Sequence, residues 1–376
     1  MIPPADHLGA LLTILERGGV KVDYPGAFRA NARMYDQGTA VVRMAQPYGG
    51  FAKALLEVQR YPDLRDASGH PIPPYDVTAH TLSLLMGVPV SPVYSPFALP
   101  KAKPEKGQGW NGGCGDAIPP RRAVYRSHSP SMDEGWTRWV LDDDKSLRCL
   151  YYATLKDAEA RMGGLHPKFD AIVIPDQSPA AILNGHRPGT MPPEYTGGLG
   201  QAGVKALREF VEQGGTLVFL NRASSFAIEQ FKLPVRNVVA GVSEKEFFVP
   251  GSILRIELDT SHKLAEGMPK ETIAWVEDSP VFEVPGGADI LSAMSAKREN
   301  MGRMPVPQVR VIARYPSDRN PLLSGWLLGD SRIRGKAALV EVTMGKGRII
   351  LFGFRPQYRA QSLATYPLFF NAISGR

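Results

Sequence analysis

Apolar residues at Leu8, Leu11, Leu12 and Leu15 recur at the spacing of one helical face. Gly18 and Gly19 follow, as a helix C-terminus favours. Short strands are expected at 20–23 and 39–44, a helix near 51–58, and an amphipathic stretch at 76–86. These make a small N-terminal α/β unit ending near residue 90. Prolines then crowd residues 89–122, together with the run NGGCGD. Proline fixes φ and removes a donor, so this stretch (91–122 as a segment) reads as a linker or long loop. A strand is expected at 123–125. Ser131-Met-Asp-Glu134 has the form of a capping box and opens a helix that carries Trp136, Trp139 and Val140. A strand is expected near 148–152. The runs at 169–174 and 216–220 are almost continuously apolar, as in parallel strands buried on both faces. Between them residues 203–213 read as a helix with Val204, Leu207, Phe210 and Val211 inward, stopped by Gly214 and Gly215. Strand, helix and strand in this rhythm predict a doubly wound α/β sheet. Residues from about 235 to 345 turn β-rich and irregular. A hairpin is expected from 337–343 and 348–352 around Gly345-Lys-Gly347, with a final helix over about 364–373.

The chain has 376 residues, enough for two or three domains. Its 38 glycines and 33 prolines argue for many turns and against a coiled coil or helical bundle. The net charge of +7 comes with no long Lys/Arg run and no basic helix interleaved with aromatics. A solvated basic surface or a pocket for an acidic ligand is expected rather than nucleic-acid binding. No apolar run approaches the length of a membrane span. The N-terminal residues lack the basic and apolar pattern of a signal peptide. A cytoplasmic location is therefore expected for the chain as written, and a periplasmic or secreted one if it belongs to a longer exported protein. Nothing in the pattern bears on oligomeric state.

Several phrases carry a resemblance. SMDEGWTRWVL (131–141), PPEYTGGLGQAGVKALREFVEQGGTLVFLN (192–221) and GKAALVEVTMGKGRIILFGFRPQYRAQS (335–362) are similar to the C-terminal part of bacterial M14-type zinc carboxypeptidase-like proteins. PPYDVTAHTLSLLMGVPV (73–90) resembles the segment that joins their peptidase domain to this tail. The resemblance implies a class I glutamine amidotransferase-like domain with a flavodoxin-like sheet over residues 123–376, with a β-rich insertion at about 235–335. It implies a tail that commonly lacks the amidotransferase nucleophile, and an M14 peptidase domain as partner. The run from Asp142 to Cys149 departs from the family's aromatic, glycine-containing stretch.

Zinc chemistry of the M14 kind needs two imidazoles and a carboxylate, opening with H-x-x-E. None of the seven histidines has Glu three residues on, so no metal site and no cofactor is expected. Cys114 lies among glycines but has no apolar strand before it, and reads as a loop thiol. Cys149 reads as packing, and the sequence leaves open whether the two cysteines pair. Gly198-Leu-Gly-Gln-Ala-Gly203 matches G-x-G-x-x-G without a preceding strand. It reads as a loop making a close approach to a helix start.

Ligands of doubly wound folds bind beyond the carboxyl ends of the strands. Those ends carry Arg126, Ser127 and His128; Asp176 and Gln177; Asn221, Arg222, Ser224 and Ser225; and Arg355, Gln357, Tyr358 and Arg359. The position where an amidotransferase holds its cysteine reads Asn221-Arg-Ala-Ser-Ser225, which disfavours thioester chemistry. Three outcomes are open. Ser224 with His128 and Asp176 could form a hydrolase triad acting on an ester or amide, although G-x-S-x-G is absent. Arg222, Arg355 and Arg359 could clamp the carboxylate of a peptide or small molecule. Otherwise these polar residues cap helices and satisfy loop backbone, in a non-catalytic accessory module. Trp136, Trp139 and Trp326 could form a sugar platform, but the helical spacing of the first two favours the core.

Overall fold

Leu11, Leu12 and Leu15 are buried on one face of helix α1 (Leu8–Arg17), and Gly19 follows at φ 82°. The protein is described by a computed structural model covering residues 1–100, 121–143, 152–284 and 307–374. The expectations for Cys114, Cys149, most of the linker and most of the run after Asp142 lie outside these residues. The N-terminal unit continues with strands β1 (Val22–Asp23), β2 (Phe28–Ala30), β3 (Arg33–Tyr35) and β4 (Val41–Val42) and helices α2 (Gly49–Leu56) and α3 (Leu82–Met86). Only the last five residues of the amphipathic stretch are helical. Before them Thr78 bonds the Gly251 carbonyl through both its N–H and its hydroxyl, which holds the chain extended. No local pattern announces the β2–β3 hairpin: its turn, Asn31-Ala32, has φ of 47° and 59° without a glycine. The core of this unit runs on into Ile253, Ile273 and Trp275, so it packs directly against the main sheet.

The main sheet is built from β5 (Arg122–Arg126), β6 (Tyr152–Lys156), β7 (Ala171–Ile174), β8 (Thr216–Leu220), β9 (Arg236–Asn237), β10 (Pro250–Leu258), β11 (Glu271–Glu277), β12 (Phe282–Glu283), β13 (Val309–Arg314), β14 (Leu322–Ser324), β15 (Ala337–Met344) and β16 (Gly347–Phe352). The helices are α4 (Met132–Asp143), α5 (Asp157–Arg161), α6 (Pro179–Asn184), α7 (Gly200–Glu212), α8 (Ala223–Phe231) and α9 (Tyr366–Ile373). Strands β6, β5, β7, β8 and β16 lie side by side in that order and are parallel. Counted within this half, the order is 2-1-3-4-5, which is flavodoxin-like. Ile172 and Ile174 face one core, and Ala171 and Val173 face the other. Burial on both faces is why these strands read as unbroken apolar runs. From β16 the sheet continues antiparallel through β15, β13, β10 and β11. The β-rich stretch therefore extends the same sheet. The expected strand near 148–152 is described as β6, four residues later than expected at its end. Among the described residues no helix is long and apolar enough to cross a membrane.

Gly198 stands at a crossing of two chain segments. A Cβ there would lie 2.5 Å from the Ile182 carbonyl oxygen, so the glycines before α7 serve close packing against the end of α6.

Candidate functional site

The chain turns sharply from β8 into α8 through Asn221, which has φ 51° and is completely buried. A strand–turn–helix with a left-handed residue at its corner is the geometry that presents a nucleophile in elbow-type enzymes. Here the corner residue is an amide, and both of its ends are engaged. Asn221 Nδ2 donates to Asp176 Oδ1 and to the Glu277 carbonyl, each at 3.1 Å, and Ser279 Oγ donates to Asn221 Oδ1 at 2.5 Å. The backbone N–H of Arg222 donates to Asp176 Oδ1 at 2.9 Å, so the first amide of the elbow also faces an internal carboxylate.

Asp176 belongs to a buried ion network. Arg222 binds it through Nε and Nη2, the latter at 2.7 Å. Arg355 reaches three carboxylates: Asp176 at 2.9 Å, Asp133 at 3.2 Å and Glu277 at 3.2 Å. The side chains of Arg355, Asp133 and Asp176 are 6%, 5% and 1% exposed, so these pairs are shielded from water. Burial pushes Asp133 up to about 7, against the pull of Arg355 and with the help of the Asp176 charge. Burial also pushes Asp176 up, but hydrogen bonds from Arg222 and the charges of Arg355 and Arg222 outweigh it and leave its carboxyl below the usual range. Burial raises Glu277 in spite of Arg355. Burial works against the Arg355 charge, and the three carboxylates overcome it.

This geometry corrects two expectations. The triad is not assembled. Ser224 is completely buried, and its hydroxyl donates to the Phe352 carbonyl at 2.9 Å, with the Phe219 carbonyl 3.2 Å away. It ties α8 to the sheet instead of facing an imidazole. The Asp176 carboxylate is held by Arg222, Arg355 and Asn221. The His128 ring packs edge-on against Tyr195 at 5.2 Å. The arginine clamp is not open either. Arg222 and Arg355 are held by the network, and Arg359 makes a bidentate pair with Asp76 at 2.7 and 3.1 Å. Gln357 donates to Thr137 at 3.1 Å inside the core, and Tyr358 stacks on Trp275 with ring centroids 3.4 Å apart. Trp136 packs edge-on against Tyr358, and Trp326 is buried between Tyr61 and Phe248, so the tryptophans form no platform. Trp139 departs from the core expectation, being 59% exposed on the outer side of α4. Among the described residues no three His, Cys, Asp or Glu side chains converge as a metal site requires.

Arg126, Ser127, His128 and Gln177 do come together. They line a cleft of about 370 Å³ with Lys156 and Ser131, at the carboxyl ends of β5, β6 and β7. Strand β5 is flanked by β6 on one side and β7 on the other, so this is the switch point where such sheets open a crevice. Gln177 Nε2 donates to the Ser129 carbonyl at 2.7 Å, and Ser131 Oγ donates to the Asp176 carbonyl at 2.9 Å. These bonds fix the cleft wall to the network behind it. A second recess of about 560 Å³ lies beside Arg222 and is lined by Asp76, Glu244, Glu277 and Asp278.

Lys156, Asp133 and Glu277 carry no signal of their own in the sequence. Lys156 ends a strand that the sequence pattern places too early. Asp133 sits in the first turn of α4 as an ordinary acidic residue would, and its partner is 222 positions away.

No protein-family model matches the chain, and no curated protein matches it. Among solved structures, it is similar to a ThuA-like protein from Bacteroides uniformis, with TM-score 0.38, 10% identity, and coverage of 71% of this chain and 96% of that one. It is similar to a GMP synthase component from Thermoplasma acidophilum, with TM-score 0.38, 11% identity, and coverage of 68% and 94%. It is also similar to a β-galactosidase from Bacillus circulans sp. alkalophilus, with TM-score 0.37, 12% identity, and coverage of 66% and 30%.

Proposed function

We propose that this chain is a non-catalytic, amidotransferase-like module that binds an anionic ligand, a carboxylate-bearing peptide or small molecule among them. The observation that carries the reading is the elbow itself. Its corner is Asn221, an amide with no nucleophilic atom, locked at both ends into a buried network. The nearest hydroxyl in the elbow helix, Ser224, is buried and bonded to backbone. The resemblance of 131–141, 192–221 and 335–362 supports a further step: the module serves an M14-type zinc carboxypeptidase-like protein as an accessory domain. An in-frame peptidase domain with H-x-x-E in the DNA upstream of Met1 would support that step.

The non-catalytic reading predicts background hydrolysis of p-nitrophenyl acetate and of glutamine, with or without added zinc. Metal analysis of chelator-free protein should find less than one zinc per chain. Turnover above background that disappears in a folded Ser224→Ala variant, checked by circular dichroism, overturns the reading in favour of a serine hydrolase.

A further inference from the structure

Arg126 and Lys156 are register partners at the carboxyl ends of adjacent parallel strands. Both are exposed, and both line the switch-point cleft. Residues paired in register project from the same face, and like charges placed so are unfavourable unless something lies between them. The nearby carboxylates are spent elsewhere. Asp157, next to Lys156, accepts from the Tyr125 hydroxyl at 2.5 Å, Glu159 accepts from the Lys156 backbone N–H at 2.9 Å, and Glu134 pairs with Arg138 at 2.6 Å. Among the described residues neither the Arg126 guanidinium nor the Lys156 ammonium has a hydrogen-bond or ion-pair partner. The other cations at this edge, Arg222, Arg355 and Arg359, all have carboxylate partners. The larger recess beside Arg222 presents four carboxylates and disfavours anions.

We infer that the cleft at the carboxyl ends of β5, β6 and β7 is the anion site, and that it takes a group bearing two negative charges, gripped by Arg126 and Lys156. This rests on the ligand-binding reading above and names the site and charge class of its ligand. A monocarboxylate neutralises one of the two cations; a dicarboxylate or a phosphate monoester neutralises both. A guanidinium suits a planar, two-oxygen contact, and an ammonium adds a point charge beside it. The cleft volume of about 370 Å³ leaves room for a small organic body beyond the charged group.

The test is calorimetric titration of the full chain with succinate, inorganic phosphate and acetate, each at an ionic strength matched with sodium chloride. Succinate or phosphate should bind saturably, with acetate weaker by on the order of tenfold. Whichever of the two dianions binds more tightly identifies the source of the charge pair. Arg126→Ala and Lys156→Ala should each weaken binding by on the order of tenfold, since each removes one charge-assisted contact. Lys156→Glu should abolish binding and raise the melting temperature without ligand, because it gives Arg126 a partner. Both residues are exposed, so the variants remove no buried packing. Saturable binding that survives all three variants overturns this site while leaving a ligand-binding module standing. No saturable binding by either dianion overturns the proposal. The hydrolysis assays above separately decide whether the module is catalytic.

Discussion

Arg355→Met should cost the fold about 3–5 kcal/mol, the largest single-residue loss expected outside the apolar core. The side chain is almost wholly buried and touches Asp133, Asp176 and Glu277 together. Removing it leaves two buried carboxylates, Asp133 and Asp176, and the part-buried Glu277 with only Arg222 among them, which binds Asp176. A residue of similar volume without charge cannot offset that, because what is lost is neutralisation rather than packing. Arg359→Ala provides the contrast. Its pair with Asp76 has side chains 38% and 56% exposed, so its loss should cost no more than about 1 kcal/mol. Urea unfolding of the two variants beside the wild type measures both losses. Equal losses would mean that the network is as well solvated as the surface pair.

Asp133→Asn should change how stability depends on pH. In the folded protein the Asp133 carboxyl is pushed up to about 7, against an ordinary value near 4 in the unfolded chain. Between those values the folded state holds a proton that the unfolded state has lost. Stability from this group is thus fully present below pH 4, declines as pH rises toward 7, and is level above that. Three units correspond to on the order of 4 kcal/mol. Glu277, also raised, adds a contribution of the same sign. Asp176, which is lowered, acts oppositely and loses its contribution only as pH falls into the acid range. Asparagine imitates the protonated acid. The variant should therefore match the wild type near pH 3, below the unfolded value, and exceed it at pH 8, with a flatter profile between. Urea midpoints at those two pH values decide it. A variant less stable than wild type at pH 8 would mean that Asp133 is held ionised by Arg355 in the fold.

The parallel half of the sheet was legible because burial on both faces writes itself into composition: 171–174 and 216–220 carry apolar residues at nearly every position. Helix α7 was legible from its periodicity, and the β15–β16 hairpin from its glycine turn. The β2–β3 hairpin was not, since Asn31-Ala32 adopts a left-handed turn without the usual glycine. The polar residues that follow the strands could be named from the pattern, but their roles were not readable. Whether an arginine is free to bind a ligand depends on carboxylates brought to it from far along the chain. Arg355 meets Asp176 across 179 positions, and Arg359 meets Asp76 across 283. No local pattern marks such meetings. Lys156 escapes sequence reading for a similar reason: its significance lies in its register with Arg126.

Crystals grown with the tighter-binding dianion provide the most direct measurement. The expectation is density for the anion between Arg126 and Lys156, with Asn221, Asp176 and Arg222 keeping their mutual bonds. An anion seated instead on Arg222 and Arg355, with Asp176 displaced, or a Ser224 hydroxyl turned toward an imidazole, would contradict it.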